Sequence, residues 1–421
     1  MGFFEFYKTF IRGNIIGVLA QTFSSLKYKN FRIFWSGQII SSIGTWMQIV
    51  GQAWLVLKLT NSPFLLGLVV AFQYIPILFF SIIAGDIVDR VKKRYIVIAT
   101  QSSMALLSLI LAILTNLDII TYTEVLILTT LMGFAQTFDV PARQSFMIDL
   151  VGKQDLSNAI ALNSTIFNLA RIVGPAIAGV MIAKIGIKAT FYANAVSFVP
   201  LVLGLFFIDI NGDPSKKKSS LKDSLKELLE YIKANKVLFD IVVLLTILSI
   251  FAMNFSVLVP LLAKYTLKQN SIGFGMLMTY MGLGSFFGAM LIAYLSKKVS
   301  YLKLMIINAF GLNVFQILMA LSQNYIQASI SIFAAGFCLI GYIILSNTTM
   351  QLLSTNEIRG RIMSIYSLVF LGVTPFGSIF SGVVANYVGI RFAIFSGAVI
   401  GFLVCLFYVK RFILYIREAK L

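Results

Sequence analysis

The long apolar runs of this 421-residue chain carry almost no charge except Arg171, and its sixteen carboxylates all fall at expected helix ends or in loops. A charge at the centre of a bilayer costs several kcal/mol and survives only where it faces protein or water. The pattern therefore describes a polytopic membrane protein, and Arg171 is its exceptional residue. Composition agrees, with 59% hydrophobic and 12% charged residues against roughly 25% charge in soluble domains. Although the net charge is +18, the basic residues do not gather into a nucleic-acid-binding stripe interleaved with aromatics. No nucleic-acid partner is expected. The chain has no histidine, and its two cysteines, Cys338 and Cys405, lie in separate apolar runs. Histidine-based catalysis and the usual zinc sites are excluded, and neither a metal nor a cofactor is expected.

Runs of about 20 apolar residues, enough to cross about 30 Å of hydrocarbon, occur twelve times. They lie near 34–57, 64–86, 95–116, 123–141, 157–183, 189–209, 238–263, 273–295, 302–321, 326–346, 361–385 and 391–410. With both termini inside, the cytoplasmic segments hold 27 of the 34 Lys and Arg residues, as the positive-inside rule requires. Lys58, Lys184, Lys188, Lys264, Lys268 and Arg391 face outward. A cytoplasmic (inner) membrane location follows, with anionic headgroups as neighbours of the basic loops.

Residues 1–30 form an amphipathic or disordered lead, with Phe3, Phe4, Phe6, Tyr7 and Phe10 beside Lys8 and Arg12. A first six-helix bundle over 31–209 follows, then a polar linker over 210–237 containing Lys216, Lys217 and Lys218. A second bundle spans 238–411 and a short tail 412–421. A repeat supports the division: Gly186-Ile187-Lys188 and Ala195-Val196 recur as Gly389-Ile390-Arg391 and Ala398-Val399, offset by 203 residues, and Gly174-Pro175 with Gly179 is echoed loosely by Thr374-Pro375 with Gly382. Two six-span halves related by a parallel repeat are a transporter architecture with the substrate site between them.

Between spans two and three stands Gly85-Asp86-Ile87-Val88-Asp89-Arg90-Val91-Lys92-Lys93-Arg94. It resembles the loop signature of the major facilitator superfamily, with Lys92 where many members carry glycine. Further stretches are similar to the drug:proton antiporter branch, including enterobactin-exporter-like and macrolide-efflux-like proteins. These include Asn30-Phe31-Arg32-Ile33-Phe34-Trp35, Gly44-Thr45-Trp46-Met47-Gln48, Pro141-Ala142-Arg143, Asn168-Leu169-Ala170-Arg171-Ile172-Val173-Gly174-Pro175 and Arg359-Gly360-Arg361. The resemblance implies an all-α fold of twelve transmembrane helices in two six-helix bundles. It also implies secondary active export by alternating access, with protons as a coupling partner.

The resemblance further implies a latch. Gly85 would permit close helix approach, while Asp86, Asp89, Arg90 and Arg94 meet Asp139 and Arg143, one turn apart, to hold the outward-facing state. A local i,i+4 pair worth about 0.2–0.5 kcal/mol is the plainer reading of those charges. Gly174, Pro175 and Gly179 are expected to allow bending and tight packing. Arg171 must face the bundle interior, either bonded to a neighbouring span or contacting cargo. Asn163, Ser164 and Asn168 can share its face. In span one, Gln38, Ser41, Thr45, Gln48 and Gln52 make a polar stripe that either glues helices or lines the cavity; Gln73 and Asn254 are further cavity candidates.

Many related antiporters carry aspartate where this chain has Thr45, so proton coupling follows from the resemblance without mid-membrane acid support; Asp89 and Asp139 are the remaining candidates, and a substrate that brings its own charge is another route. A buried cation and no cavity acid favour amphipathic or anionic cargo, such as a siderophore, lysophospholipid or drug-like molecule. The alternatives are uptake of an organic anion, a lipid scramblase, a membrane enzyme or a non-transporting receptor. No catalytic constellation or ATP-binding loop appears. A monomer is expected.

Overall fold

A computed structural model describes residues 23–208, 210, 230–355 and 358–419. The expected amphipathic lead and most of the expected linker, with Lys216, Lys217 and Lys218, lie outside these residues. The described residues are almost entirely helical: α1 Lys29–Thr60, α2 Pro63–Arg90, α3 Lys93–Asn116, α4 Tyr122–Lys184, α5 Lys188–Phe206, α6 Lys236–Phe251, α7 Phe255–Leu261, α8 Ser271–Leu295, α9 Tyr301–Leu321, α10 Tyr325–Leu352, α11 Arg359–Ser367, α12 Thr374–Tyr387 and α13 Ile390–Ala419. A helix keeps its backbone amides paired within one segment in lipid, which is why long apolar runs become helices here.

At 63 residues, α4 would extend about 95 Å if straight, three times the hydrocarbon thickness. Its backbone leaves helical geometry at Gly152 (φ 71°, ψ 176°), a conformation glycine adopts without a Cβ clash. Counting the two arms separately gives twelve candidate crossings among the described residues. Spans seven and eleven differ from the uninterrupted runs read in the sequence. The seventh is α6, α7 and a π-helical turn Leu262–Thr266; the eleventh is α11, a π-helical turn Leu368–Gly372 and α12. The side chain of Asn254 takes Ile250 O at the first break (2.6 Å), and Pro375, at the start of α12, lacks an amide to continue the preceding turn.

The internal repeat is visible in the backbone. Gly186 and Gly389 adopt φ of 104° and 113°. Just beyond them Lys188 donates to Asn116 Oδ1 at 2.8 Å, and Arg391 donates to Ser322 O at 2.8 Å. Each tie fastens the last helix of a half to the end of its third.

The bundles meet along two glycine crossings that obey the same relation. A Cβ on Gly275 of α8 would sit 2.4 Å from Pro175 O and 3.0 Å from the Gly179 Cα of α4. One on Gly67 of α2 would sit 2.5 Å from Ser378 O and 3.0 Å from the Gly382 Cα of α12. Without a hydrophobic force between helices, such close approach supplies the packing energy. Lys264 reaches Leu57 O (2.6 Å) and Asn61 Oδ1 (3.0 Å) at the same end. These joints are concentrated on the half of the molecule away from the Asp86–Arg94 loop; that half is termed the narrow end and the loop half the wide end.

Candidate functional site

Arg171, in the second arm of α4, occupies the seam between the bundles. Its Nη1 donates to Ser285 Oγ of α8 at 3.2 Å, and Ser285 is itself anchored to Met281 O and Gly336 O. The guanidinium carbon lies 5.5 Å from the Trp46 ring centroid of α1 and 5.4 Å from that of Phe167, one turn back on its own helix. The two rings meet edge to face at 5.9 Å. Tyr74 of α2 is within electrostatic range of the cation. Four helices from both halves therefore converge on one guanidinium. No carboxylate pairs with it among the described residues, and its Nε is buried without a hydrogen-bond partner. An orphaned buried donor of this kind costs about 1–3 kcal/mol, whereas two aromatic faces return about 0.5–2 kcal/mol each. An incoming carboxylate is the group that would complete it, since a guanidinium fork matches carboxylate geometry.

The close approach that builds this seam requires small residues. A Cβ on Gly174 would stand 2.6 Å from Trp46 Cβ and 2.9 Å from Ile43 O, while Gly179 packs on Ser271 and Gly275. Pro175 is buried and α4 stays helical through it, with departure only at Gly152. Gly174 and Gly179 serve packing.

Of the remaining candidates, Thr45, Gln73, Asn163 and Asn168 are partly buried, and Asn168 Nδ2 donates to Ser164 O one turn back. Gln38, Gln48, Gln52 and Asn254 are packed inside their own bundles, none more than 8% exposed. Gln48 accepts a 2.7 Å bond from Asn194, which also donates to Ser108, and Gln48 lies against Met132 Sδ. Asn254 lies against Gly377. Gln48 binds helix to helix, because an amide pointed at a neighbouring helix satisfies in protein what lipid cannot, whereas Gln38 and Asn254 bond to Ser42 and Ile250 one turn away in their own spans.

The loop charges do not form one network here. Asp86 and Arg90 make an exposed i,i+4 pair at 2.7 Å, and Asp89 is exposed. Arg94 caps the end of α5 through Leu205 O and Phe206 O. Asp139, 1% exposed, pairs with Arg143 at 2.6 Å and accepts from Thr100 and Gln101 at 2.9 and 2.8 Å. Gly85, expected to permit close approach, has nothing within 4 Å of its ideal Cβ. Each described partner of these charges lies within the first bundle.

Sequence reasoning missed Ser285, Tyr74, the Lys264–Asn61 contact and two acid centres. Asp155 gathers Ser24, Tyr28 and Lys27 (2.9, 2.8 and 2.7 Å), fastening the start of α1 to the second arm of α4. Asp240, 0% exposed, holds Arg411 at 3.1 Å and Tyr415 at 2.8 Å. Ser285 had one signal available, its place in the small-residue run Gly282, Gly284, Ser285, Gly288.

A family model described as transmembrane secretion effector matches residues 20–420. Among curated proteins, the staphyloferrin A transporter of Staphylococcus aureus is 26% identical over 364 residues, covering 85% of this chain and 90% of that protein. The multidrug efflux pump Tap of Mycolicibacterium fortuitum is 25% identical over 368 residues, covering 84% and 88%. A solved structure of a POT family transporter in complex with a thioalcohol-conjugated peptide superposes with a TM-score of 0.74 at 9% identity, covering 91% of this chain and 96% of that one; this likeness is one of fold.

Proposed function

The chain belongs to the transmembrane secretion effector family of major facilitator transporters, and from that premise we propose that it exports carboxylate-bearing organic molecules of siderophore or drug-like size. It is a secondary active transporter with relatives that include siderophore and drug transporters. The observation that carries the substrate class is the incompletely paired Arg171 guanidinium held between Trp46 and Phe167 at the seam. Cargo enters with its carboxylate toward Arg171 and its apolar body against the rings. Thr45, Gln73, Asn163 and Asn168 are the remaining polar contacts of the path.

Both termini face the cytoplasm, on the strength of the Lys and Arg bias, so the wide end opens inward and basic loops meet anionic headgroups. The protein works as a monomer, since its cavity is completed by its own two halves. Asp86, Asp89, Arg90, Arg94, Asp139 and Arg143 act in the opposite half of the cycle: satisfied locally while the inner ends are apart, they exchange partners across helices when those ends close. Population shift requires contacts that differ between two states, and these qualify. Asp89→Asn then slows cycling with little change in cargo affinity.

The substrate class is tested by thermal-shift and calorimetric titration of the purified protein with staphyloferrin A and with matched neutral and cationic drug-like compounds, followed by flux in inverted vesicles. Wild type should bind the carboxylate probes, and Arg171→Ala should weaken that binding by at least thirtyfold, the loss expected from removing about 2–5 kcal/mol of charged hydrogen bonding. Binding of lipophilic cations with indifference to carboxylates would overturn it.

A further inference from the structure

We infer that the empty carrier is voltage-sensitive through Arg171, so that the membrane potential, rather than a coupled proton, resets it after export; the inference rests on the anion-export reading for its direction.

A proton coupled to alternating access needs a titratable group in the space that alternates. Among the described residues no carboxylate pairs with Arg171: Asp86 and Asp89 lie at the end of α2, Asp139 lies well inside the first arm of α4, and the sequence has no histidine. The two most buried acids among the described residues are turned into their own bundles and held by cations. Asp139 has Arg143, Thr100 and Gln101; Asp240 has Arg411 and Tyr415. The groups that face Arg171 are Trp46 from α1, Tyr74 from α2, Phe167 from its own helix and Ser285 from α8. Of these only Tyr74 titrates, as an acid far above neutrality in its free form, and arginine itself does not deprotonate in proteins. The seam therefore carries one fixed positive charge when empty.

That charge changes sides when access changes. With a monoanion on Arg171 the loaded seam is neutral and crosses without electrical work. Once cargo leaves, the empty seam carries a full positive charge, and an interior-negative potential draws it back to inward access. If the whole field falls across the seam, 100 mV acting on one charge shifts the empty equilibrium about fiftyfold, and a partial fall shifts it proportionally less on a logarithmic scale. A cargo with more than one negative charge gains a further push outward. The single guanidinium thus joins two tasks that antiporters with a first-span acid divide between cargo site and proton site.

The test needs no cargo, which separates it from the substrate reading. Thr279, 6% exposed and bonded across the joint to Ile172 O, is replaced by cysteine in protein whose buried Cys338 and Cys405 are changed to alanine. The full chain is reconstituted in liposomes, and a potassium gradient with valinomycin sets the potential. Labelling by a membrane-impermeant maleimide then reads opening of the narrow end. Making the compartment at the wide end negative should reduce labelling several-fold. Arg171→Lys should keep that response, Arg171→Gln should abolish it, and a pH gradient at zero potential should leave labelling unchanged. Voltage-independent labelling of the Thr279→Cys reporter with Arg171 intact, or a response to the pH gradient that survives in Arg171→Gln, would overturn the inference. Failure of the carboxylate titrations beside an intact voltage response would overturn the cargo class alone.

Discussion

Replacing Gly275 by alanine probes the glycine crossing that closes one end of the molecule. The new methyl would lie 2.4 Å from Pro175 O and 3.0 Å from Gly179 Cα, both backbone atoms of the opposing bundle. An ordinary contact needs at least about 3.4 Å, so α8 and α4 must part by about 1 Å or their helices must bend. Forced insertion into a packed interface costs about 1–3 kcal/mol. The helix-propensity gain of alanine, about 1 kcal/mol, is the same in both access states and cancels between them. The strain exists only where the crossing is closed, and it therefore shifts the population toward the state open at the narrow end by about 5- to 150-fold. Maleimide labelling of the Thr279→Cys reporter in unfolded-corrected samples measures that shift. Gly85→Ala is the control, because its Cβ meets nothing within 4 Å. Equal labelling of Gly275→Ala and the reporter parent, with both folded by size-exclusion and thermal melting, would show that the crossing is not a closing contact.

Loss of the Lys264 amine should act in the same direction through a different joint. Lys264→Ala removes the bonds to Leu57 O and Asn61 Oδ1, and reporter labelling should rise by a few-fold. Asp240→Ala leaves Arg411 and Tyr415 without their shared acceptor; melting should fall by an amount equivalent to about 1–3 kcal/mol, and the double variant with Arg411→Ala should recover part of it. A double variant no more stable than the single would show that Arg411 finds another partner. Hydrogen bonds from Lys27, Tyr28 and Ser24 hold the Asp155 carboxyl down at about 2, below the ordinary 3.8. Because the folded value lies below the unfolded one, this contribution is complete above about pH 4 and is lost as pH falls toward 2. Thermal melting across that window should lose part of its acid sensitivity in Asp155→Asn, and identical pH profiles would refute the linkage.

The site was legible in outline only. An arginine in an apolar run announces itself, since nothing but protein or water can receive it, and Gly174 beside it signals close packing. Its partner Ser285 lies 114 positions away, and no spacing rule connects them. The polar stripe of α1 read equally well as cavity lining or helix glue, because periodicity places Gln38, Gln48 and Gln52 on a face without saying which neighbour that face meets. Asn194 of α5 decides it for Gln48. The loop charges had the right residue types for a latch, but which partner each takes depends on how far apart the bundles stand.

Hydropathy, the distribution of Lys and Arg and the 203-residue repeat were enough to specify twelve crossings in two related halves. They suffice because transfer of backbone and charge into hydrocarbon is penalised residue by residue, so the constraint is local. The seam was decided elsewhere. Glycine crossings at Gly67–Gly382 and Gly179–Gly275 choose where the halves touch, and that choice leaves Arg171 short of partners, whereas Asp139 and Asp240 are paired inside their own bundles. Pairing of buried charge depends on three-dimensional proximity between distant segments, which only the packed bundles supply.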